Sequence, residues 1–449
     1  MGRPLIGFIT CVHPFYALPE IAAVREKAIA ELETSGCSVV ATGILKTAQD
    51  AVEAAADLRQ KSVDLALLFF CTWVREDIGL ALARELQDVP MLLWALPFLD
   101  EKVPMPSPMS GLLATASNLR RTGRRFAYQI GGVNPGLIDK TVRAAEVAAV
   151  LGALKRSRFG VIGDPCPGMI DVEVDSACLE RTFGLTVAEV DFPSFLQKVE
   201  SASRERSAAA AEQLAKAARG AREIDAPGLA DNLRLYVALQ DLVRDNRLDG
   251  YCLRCWPELR DRYGITPCAS HALLAEEGVA NTCEVDLPAL VTTYILGRLA
   301  GSPAFNFDIT GYLEAAGAVQ LAHCGAAAPS LAEDPGAVCL RRHMRTGTGA
   351  TVEFPFKPGS VTLAKLLRPN DGKLTLFAAA GRVVASEGVR GSVATVRPDS
   401  SAAGLLDSIV CEGVEHHIAL VYGSWIDHLK LLGEFAGLRF VTPVVSSGR

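Results

Sequence analysis

The sequence predicts an α/β protein with two doubly wound parallel-sheet domains followed by a β-rich, barrel-like C-terminal domain. Three observations predict it. Apolar runs of strand length alternate with helical stretches of about ten to fifteen residues through the first hundred positions. The same alternation restarts at Arg158-Phe-Gly-Val-Ile-Gly163. Beyond about residue 335, short strands separated by Gly, Pro and an Asn370-Asp-Gly turn signal take over. At 449 residues the chain is too long for one core, so boundaries are expected near 155 and 333. The domains are then 1–155, 156–333 and 334–449.

Taken in order, Pro4 to Thr10 reads as a buried parallel strand, followed by a helix from Glu20 to Ser35. Gly36 to Ala41, Asp64 to Phe70 and Pro90 to Leu96 are the next strands, with helices at Thr47–Lys61 and Arg75–Gln87 between them. Ligands of such sheets gather at carboxyl ends of strands, here Cys11-Val-His13, Cys71-Thr-Trp73 and Pro97-Phe-Leu. In the second domain, Leu185–Asp191 and Leu248–Cys255 are strands. Ser201–Arg222, Gly228–Asp245 and His271–Glu277 are helical. The third domain holds strands near 347–354, 360–364, 373–378 and 382–385, one late helix at Ile426–Ala436, and a final strand at Arg439.

Composition excludes several classes. About half the residues are apolar and a fifth charged, as in ordinary folded proteins. A net charge of −6 gives no reason to expect nucleic acid or an anionic membrane as partner. No signal peptide or myristoylation pattern opens the chain, and the longest apolar runs are too short to span a bilayer, so a cytoplasmic protein is expected. The first strand is not followed by G-x-G-x-x-G, and no phosphate-binding G-x4-G-K-[ST] occurs, which removes the nucleotide readings. Most of the twelve cysteines lie in apolar runs and read as reduced, buried thiols. Cys252-Leu-Arg-Cys255 has metal spacing but no second pair, and on a strand its ends face opposite ways.

The candidate chemistry centres on two acids. Glu284 stands where an apolar segment gives way to a helix, and Asp308 ends the next apolar segment; both are expected at neighbouring strand ends. Carboxylates are seldom buried unless paired or bound to metal. His323 ends another apolar segment, and His416-His417 lies on a strand of the last domain. Successive strand residues alternate faces, so that doublet is expected to send only one ring to any point. His417 shares parity with the small Ala419, which favours it. Carboxylates and imidazoles together suit Mn²⁺ or a similar divalent cation. Trp256, Trp73 and His13, at strand ends, are candidates for substrate contact. Asp286 is read as the cap of the following helix, and His271, His343 and His428 as surface residues.

Cys283-Glu-Val-Asp-Leu-Pro-Ala-Leu, Phe307-Asp-Ile, Leu321-Ala-His-Cys-Gly-Ala and His416-His-Ile-Ala-Leu-Val-Tyr-Gly resemble the L-fucose/L-arabinose isomerase family. Val89 to Pro97 and Cys255-Trp-Pro-Glu also match, in the same order. The resemblance implies two α/β domains and a barrel-like third. It also implies Mn²⁺ held by Glu284, Asp308 and His417, with His323 as a further ligand in one branch. A homo-oligomer is implied too, whose N-terminal domain offers an aromatic, Trp73, to a neighbouring protomer's site. The chain is shorter than the founding members, and Cys11-Val-His-Pro-Phe-Tyr lacks a basic residue to meet sugar hydroxyls.

The function this implies is aldose–ketose isomerisation of a small-molecule sugar through an enediolate, an intramolecular oxidoreduction. A divalent cation would polarise the carbonyl while Glu284 and Asp308 exchange roles as base and acid. An epimerase or lyase using the same enediolate is the alternative, as is a sugar-binding protein without catalysis. Deuterium uptake without an isomer product would separate the first of these, and binding with neither signal the second.

Overall fold

Parallel sheets form where apolar runs are buried on both faces, and this computed structural model contains two of them. It describes residues 2–16, 19–97, 107–173, 176–370, 373–384 and 390–444. Contacts divide the chain into two compact units. One is Met1–Ala153 with Asp427–Leu438, and the other is Leu154–Ile426 with Arg439–Arg449.

The first unit is built on strands β1 (Leu5–Cys11), β2 (Ser38–Ala41), β3 (Leu65–Phe70), β4 (Met91–Ala95) and β5 (Ala127–Ile130). They form a parallel sheet in the order β2-β1-β3-β4-β5, with β3 and β4 buried throughout. The helix Ala48–Gln60 starts with a capping box between Thr47 and Asp50, which fixes its N-terminus. The late helix Ile426–Ala436 falls mostly in this unit: His428 Nε2 lies 2.9 Å from Glu146, and Arg125 donates to the Ala436 carbonyl.

The second unit carries β6 (Arg158–Ile162), β7 (Thr186–Val190), β8 (Gly250–Leu253) and β9 (Ala280–Cys283) in a parallel sheet ordered β7-β6-β8-β9. It continues through β10 (Phe305–Leu313), β11 (Ala318–His323), β12 (Cys339–Arg341), β13 (Thr351–Pro355), β14 (Gly359–Asn370), β15 (Lys373–Val384), β16 (Ser392–Pro398), β17 (His417–Tyr422) and β18 (Arg439–Val441). These nine make one sheet, and an extra β15–β16 pairing closes β10, β11, β16, β15, β14 and β17 into a six-stranded barrel. Closure removes the exposed edges that an open sheet must protect. The fold class is the expected one.

Several details differ from expectation. The strands expected at 373–378 and 382–385 are one strand, β15, whose Gly381 lies flush against the Arg397 carbonyl of β16, where a side chain would clash. A second helix, Ala402–Glu412, joins the late one. The helix expected over 228–245 is two, Ala226–Asn232 and Arg234–Asn246. Phe98, Leu99, Asp371 and Gly372 lie outside the described residues. Among the described residues, no helix is long and apolar enough to cross a membrane.

The helix Leu287–Ala300 buries eleven of its residues and packs against β8 and β9 of the parallel sheet and against β14 and β17 of the barrel. A helix apolar on every side is one that is covered on every side. It is the wedge between sheet and barrel.

On β13, beside the barrel, buried Glu353 accepts from Thr351 (2.8 Å) and from the Arg390 guanidinium (2.7 Å). Burial pushes this carboxyl up, but Arg390 outweighs it and holds it below the ordinary range. A depressed carboxyl contributes stability that is complete above its unfolded value, about 4.3, and is lost as pH falls through the folded one. E353Q should therefore be less stable than wild type at neutral pH, with the gap closing below about pH 4. Urea midpoints measured from pH 3 to 7 check this, and a gap constant with pH would refute it.

Candidate metal centre

Glu284 leaves β9 with φ +66°, and Val285 follows with φ +64°. Two consecutive non-glycine residues in the left-handed region are costly, about 1–3 kcal/mol each, and persist only where surroundings impose them. The pair reverses the chain between β9 and the Leu287–Ala300 helix, which turns the Glu284 side chain toward the barrel. Asp308 sits within β10, directly opposite His417 on β17 and Ala322 on β11. On β17, Ile418 and Leu420 join the hydrophobic core, as do Phe305 and Phe307 on β10, so His417 and Asp308 share the opposite face. A register shift at Ile309–Gly311 bends β10 just beyond Asp308.

The four predicted metal residues come together. Glu284, Asp308, His323 and His417 each offer an atom, all within 4.8 Å of one another. His417 Nε2 is 2.9 Å from Glu284 Oε2 and 3.3 Å from Asp308 Oδ1, and His323 Nε2 is 3.9 Å from Asp308 Oδ1. The acids are not at neighbouring strand ends as expected. Glu284 ends a strand of the parallel sheet, whereas Asp308 lies inside a barrel strand, and only packing joins them.

Three atoms at this point, Glu284 Oε2, Asp308 Oδ1 and His417 Nε2, are buried and, although as close as 2.9 Å, make no hydrogen bond of acceptable geometry. Orphaned buried polar atoms are costly, and two carboxylate oxygens with one imidazole nitrogen are a donor set for a divalent cation. The residues fit such an ion.

Electrostatics agree. Burial would raise the Glu284 carboxyl, yet His416 and His417 hold it well below the ordinary range. Asp308 is likewise lowered, burial being outweighed by His417 and His323. Burial would lower His417, but Asp286, Asp308 and Glu284 raise it well above the usual imidazole value.

The two imidazoles are held differently. His417 Nδ1 lies 2.8 Å from Asp286 Oδ2, an acceptor-only carboxylate, so Nδ1 keeps its proton and a cation bound at Nε2 would replace the proton there. His323 Nδ1 accepts from the Cys324 backbone N–H at 2.9 Å, so its proton is on Nε2. His323 therefore presents an N–H into the site, while His417 presents the nitrogen that can exchange its proton for a cation.

Asp286 does more than cap. Its Oδ1 accepts from the Ala289 N–H at 2.7 Å, as expected, while Oδ2 receives both His417 Nδ1 and buried Lys365 Nζ. Lys365, in Val361-Thr-Leu-Ala-Lys-Leu-Leu, was the sequence signal for this: a lysine inside an apolar strand requires a buried anion.

His416 is a second correction. It precedes β17, so strand alternation does not govern it, and both rings of the doublet reach Glu284: its Nε2 is 4.0 Å from Glu284 Oε2. Asp171 fixes the ring from behind, Oδ2 to Nδ1 at 2.5 Å. Nothing in the local sequence of Asp171 marked it.

Trp256 lines a cavity of about 240 Å³ that also contains Glu284 and His323. His13 and Trp73 belong to the first unit, with their rings 5.3 Å apart, and the His13 backbone N–H donates to Thr72 Oγ1. The histidines expected at the surface are buried. His271 packs edge-on to Tyr251, His343 pairs with Thr346, and His428 pairs with Glu146. Burial pushes His271 down to about 3, so it stays neutral. As expected, Cys252 is buried, donating toward the Gly160 carbonyl, and all twelve cysteines are free.

Fold and site together define a candidate divalent-cation centre between a parallel α/β sheet and a β-barrel. No family model matches the chain. A sulfoquinovose isomerase of Clostridium sp. (strain MSTE9) is 29% identical over 358 residues, 78% of this chain and 79% of that protein. Proteins of the same name from Priestia aryabhattai and Priestia megaterium are 24% identical over 425 residues, 93% of this chain and 95% of theirs. A periplasmic solute-binding protein of Actinobacillus succinogenes with bound D-allose aligns over 67% of this chain and 93% of its own at 10% identity. Its TM-score is 0.20, too low to carry any argument.

Replacing Asp286 tests the support of His417. D286N keeps a capping residue but leaves buried Lys365 without its anion, which should cost about 3–5 kcal/mol. Divalent-cation affinity should fall about 10–100-fold as His417 loses its orienting carboxylate. Calorimetric titration alongside urea unfolding measures both, and an unchanged affinity would contradict the assignment.

Proposed function

We propose that this chain is an aldose–ketose isomerase that holds a divalent cation on Glu284, Asp308 and His417 and acts on a sulfonated sugar. Two observations support the reading. Three orphaned donor atoms from distant parts of the chain meet at one point. The chain is also similar over 93% of its length to proteins named sulfoquinovose isomerase. Mn²⁺ is the cation we assign, from the mixed carboxylate and imidazole donors.

When bound, such a cation supplies Lewis acidity toward the sugar carbonyl and its neighbouring hydroxyl. The protein supplies the rest. Glu284 and Asp308 are the two carboxylates within reach: one takes the proton from C2 and gives it to C1, and the other takes the C2 hydroxyl proton and gives it to the C1 oxygen, so both end ionised as they began. His417 only positions, its Nδ1 locked on Asp286. His323 donates its Nε2 proton as a hydrogen bond to a sugar oxygen. His416, held by Asp171, closes the side next to Glu284. Trp256 offers its face to the sugar from the cavity wall. Through the family resemblance, Trp73 is assigned as a sugar contact offered to a neighbouring protomer's site, with His13 beside it, and a cytoplasmic homo-oligomer belongs to the same proposal.

With Mn²⁺ loaded, the protein should convert sulfoquinovose to its ketose and incorporate solvent deuterium at C1 of the ketose and at C2 of the aldose re-formed from it, as proton NMR in D₂O would show. Chelation should abolish both signals. E284Q and D308N should each reduce turnover about 10²–10⁴-fold. Near-normal turnover of a metal-loaded E284Q protein would sink the assignment, and deuterium uptake without ketose would make the enzyme an epimerase or lyase.

A further inference from the structure

The cavity that contains Glu284 and His323 has a second wall with different chemistry. Arg260, His343, Arg345 and Thr346 line it, and Glu284 is the single carboxylate on the whole surface. Arg260, in the helix Glu258–Tyr263, is already paired with Asp261, its Nη2 lying 3.0 Å from Oδ2. Arg345 makes no hydrogen bond or ion pair to any described residue and is exposed.

The segment that carries Arg345 is firmly anchored. His343 donates its backbone N–H to the Thr348 carbonyl and accepts at its own carbonyl from Thr346 and Gly347. Gly349, with φ +64°, sits so close to Thr266 that a Cβ would lie 2.4 Å from its hydroxyl. The buried Asn232 side chain accepts from the Ala350 and Thr266 N–H groups and donates to the Thr266 carbonyl. A rigid loop that displays an unpaired guanidinium is suited to bind an oxyanion, because little order is lost on contact.

We propose that Arg345, assisted by Arg260, forms the subsite that binds the anionic group at the far end of the sugar from the cation. The inference rests on the isomerase reading above, which places the reacting carbons beside Glu284. The two ends of the substrate are then read by different walls of one cavity. A cation meets the oxygens that exchange their proton, and a guanidinium meets the charged terminus. With Arg260 largely neutralised by Asp261, the subsite carries about one net positive charge, which suits a sulfonate monoanion better than a phosphate dianion.

The test compares kcat/KM of the Mn²⁺-loaded enzyme for three sugars that differ only at C6: sulfoquinovose, glucose 6-phosphate and quinovose, the uncharged 6-deoxy sugar. Wild type should prefer sulfoquinovose over quinovose. R345Q, an exposed change that leaves the loop's backbone hydrogen bonds in place, should lower the sulfoquinovose-to-quinovose ratio about 10–100-fold. R345K should restore part of it, since lysine returns the charge without the fork. An unchanged ratio in R345Q, or no preference in wild type, would overturn the subsite while leaving the isomerase reading intact. Preference for the phosphate ester, lost in R345Q, would keep the subsite and overturn the sulfonate. Turnover of none of the three by wild type would overturn the isomerase reading and the subsite with it.

Discussion

One buried carboxylate joins the parts of the second unit that make the site. Asp286 terminates the Leu287–Ala300 helix through Ala289, and the same group receives Lys365 from β14 and His417 from β17. The helix lies between the parallel sheet and the barrel, so these contacts fix the register of one against the other. A buried ion pair does little for net stability, since desolvation of both charges opposes its attraction. Its effect is geometric: removing the anion leaves a stranded lysine and an imidazole free to turn.

That geometry explains why strain can be held next to it. Glu284 and Val285 occupy left-handed backbone conformations between a buried strand and a buried helix, with no slack on either side. The cost is met by the packing of the eleven buried helix residues, each worth on the order of 1–3 kcal/mol when fully covered. The result is a carboxylate aimed at a barrel residue it would otherwise not meet. Asp308 and His417 need no such device, because direct pairing of β10 with β17 places them side by side.

The charge pattern follows from the same placement. Two carboxylates and the Asp286-bound imidazole share a desolvated point, and each imidazole holds its acid neighbours ionised. The cavity beside it also carries the opposite sign, with Arg260 and Arg345 in its lining. A sugar with one end to be polarised and another end to be recognised matches such a pairing.

Much of this was legible in the chain itself. Strand and helix periodicity and the Gly- and Pro-rich change of texture determined the fold class, and the acids and histidines at the ends of apolar runs, together with the family resemblance, named Glu284, Asp308, His323 and His417 as candidates. They did so because burial is written locally, as a run of apolar residues, and a charged residue inside such a run demands an explanation. Partnership is not local. That Lys365 answers Asp286, that Asp171 holds His416, that both rings of the histidine doublet reach Glu284, and that Arg345 shares a cavity with Glu284 depend on residues scores of positions apart. The sequence by itself determined which side chains needed partners. Only tertiary packing decided which partners they found, because strand order and barrel closure, rather than spacing along the chain, set the distances between them.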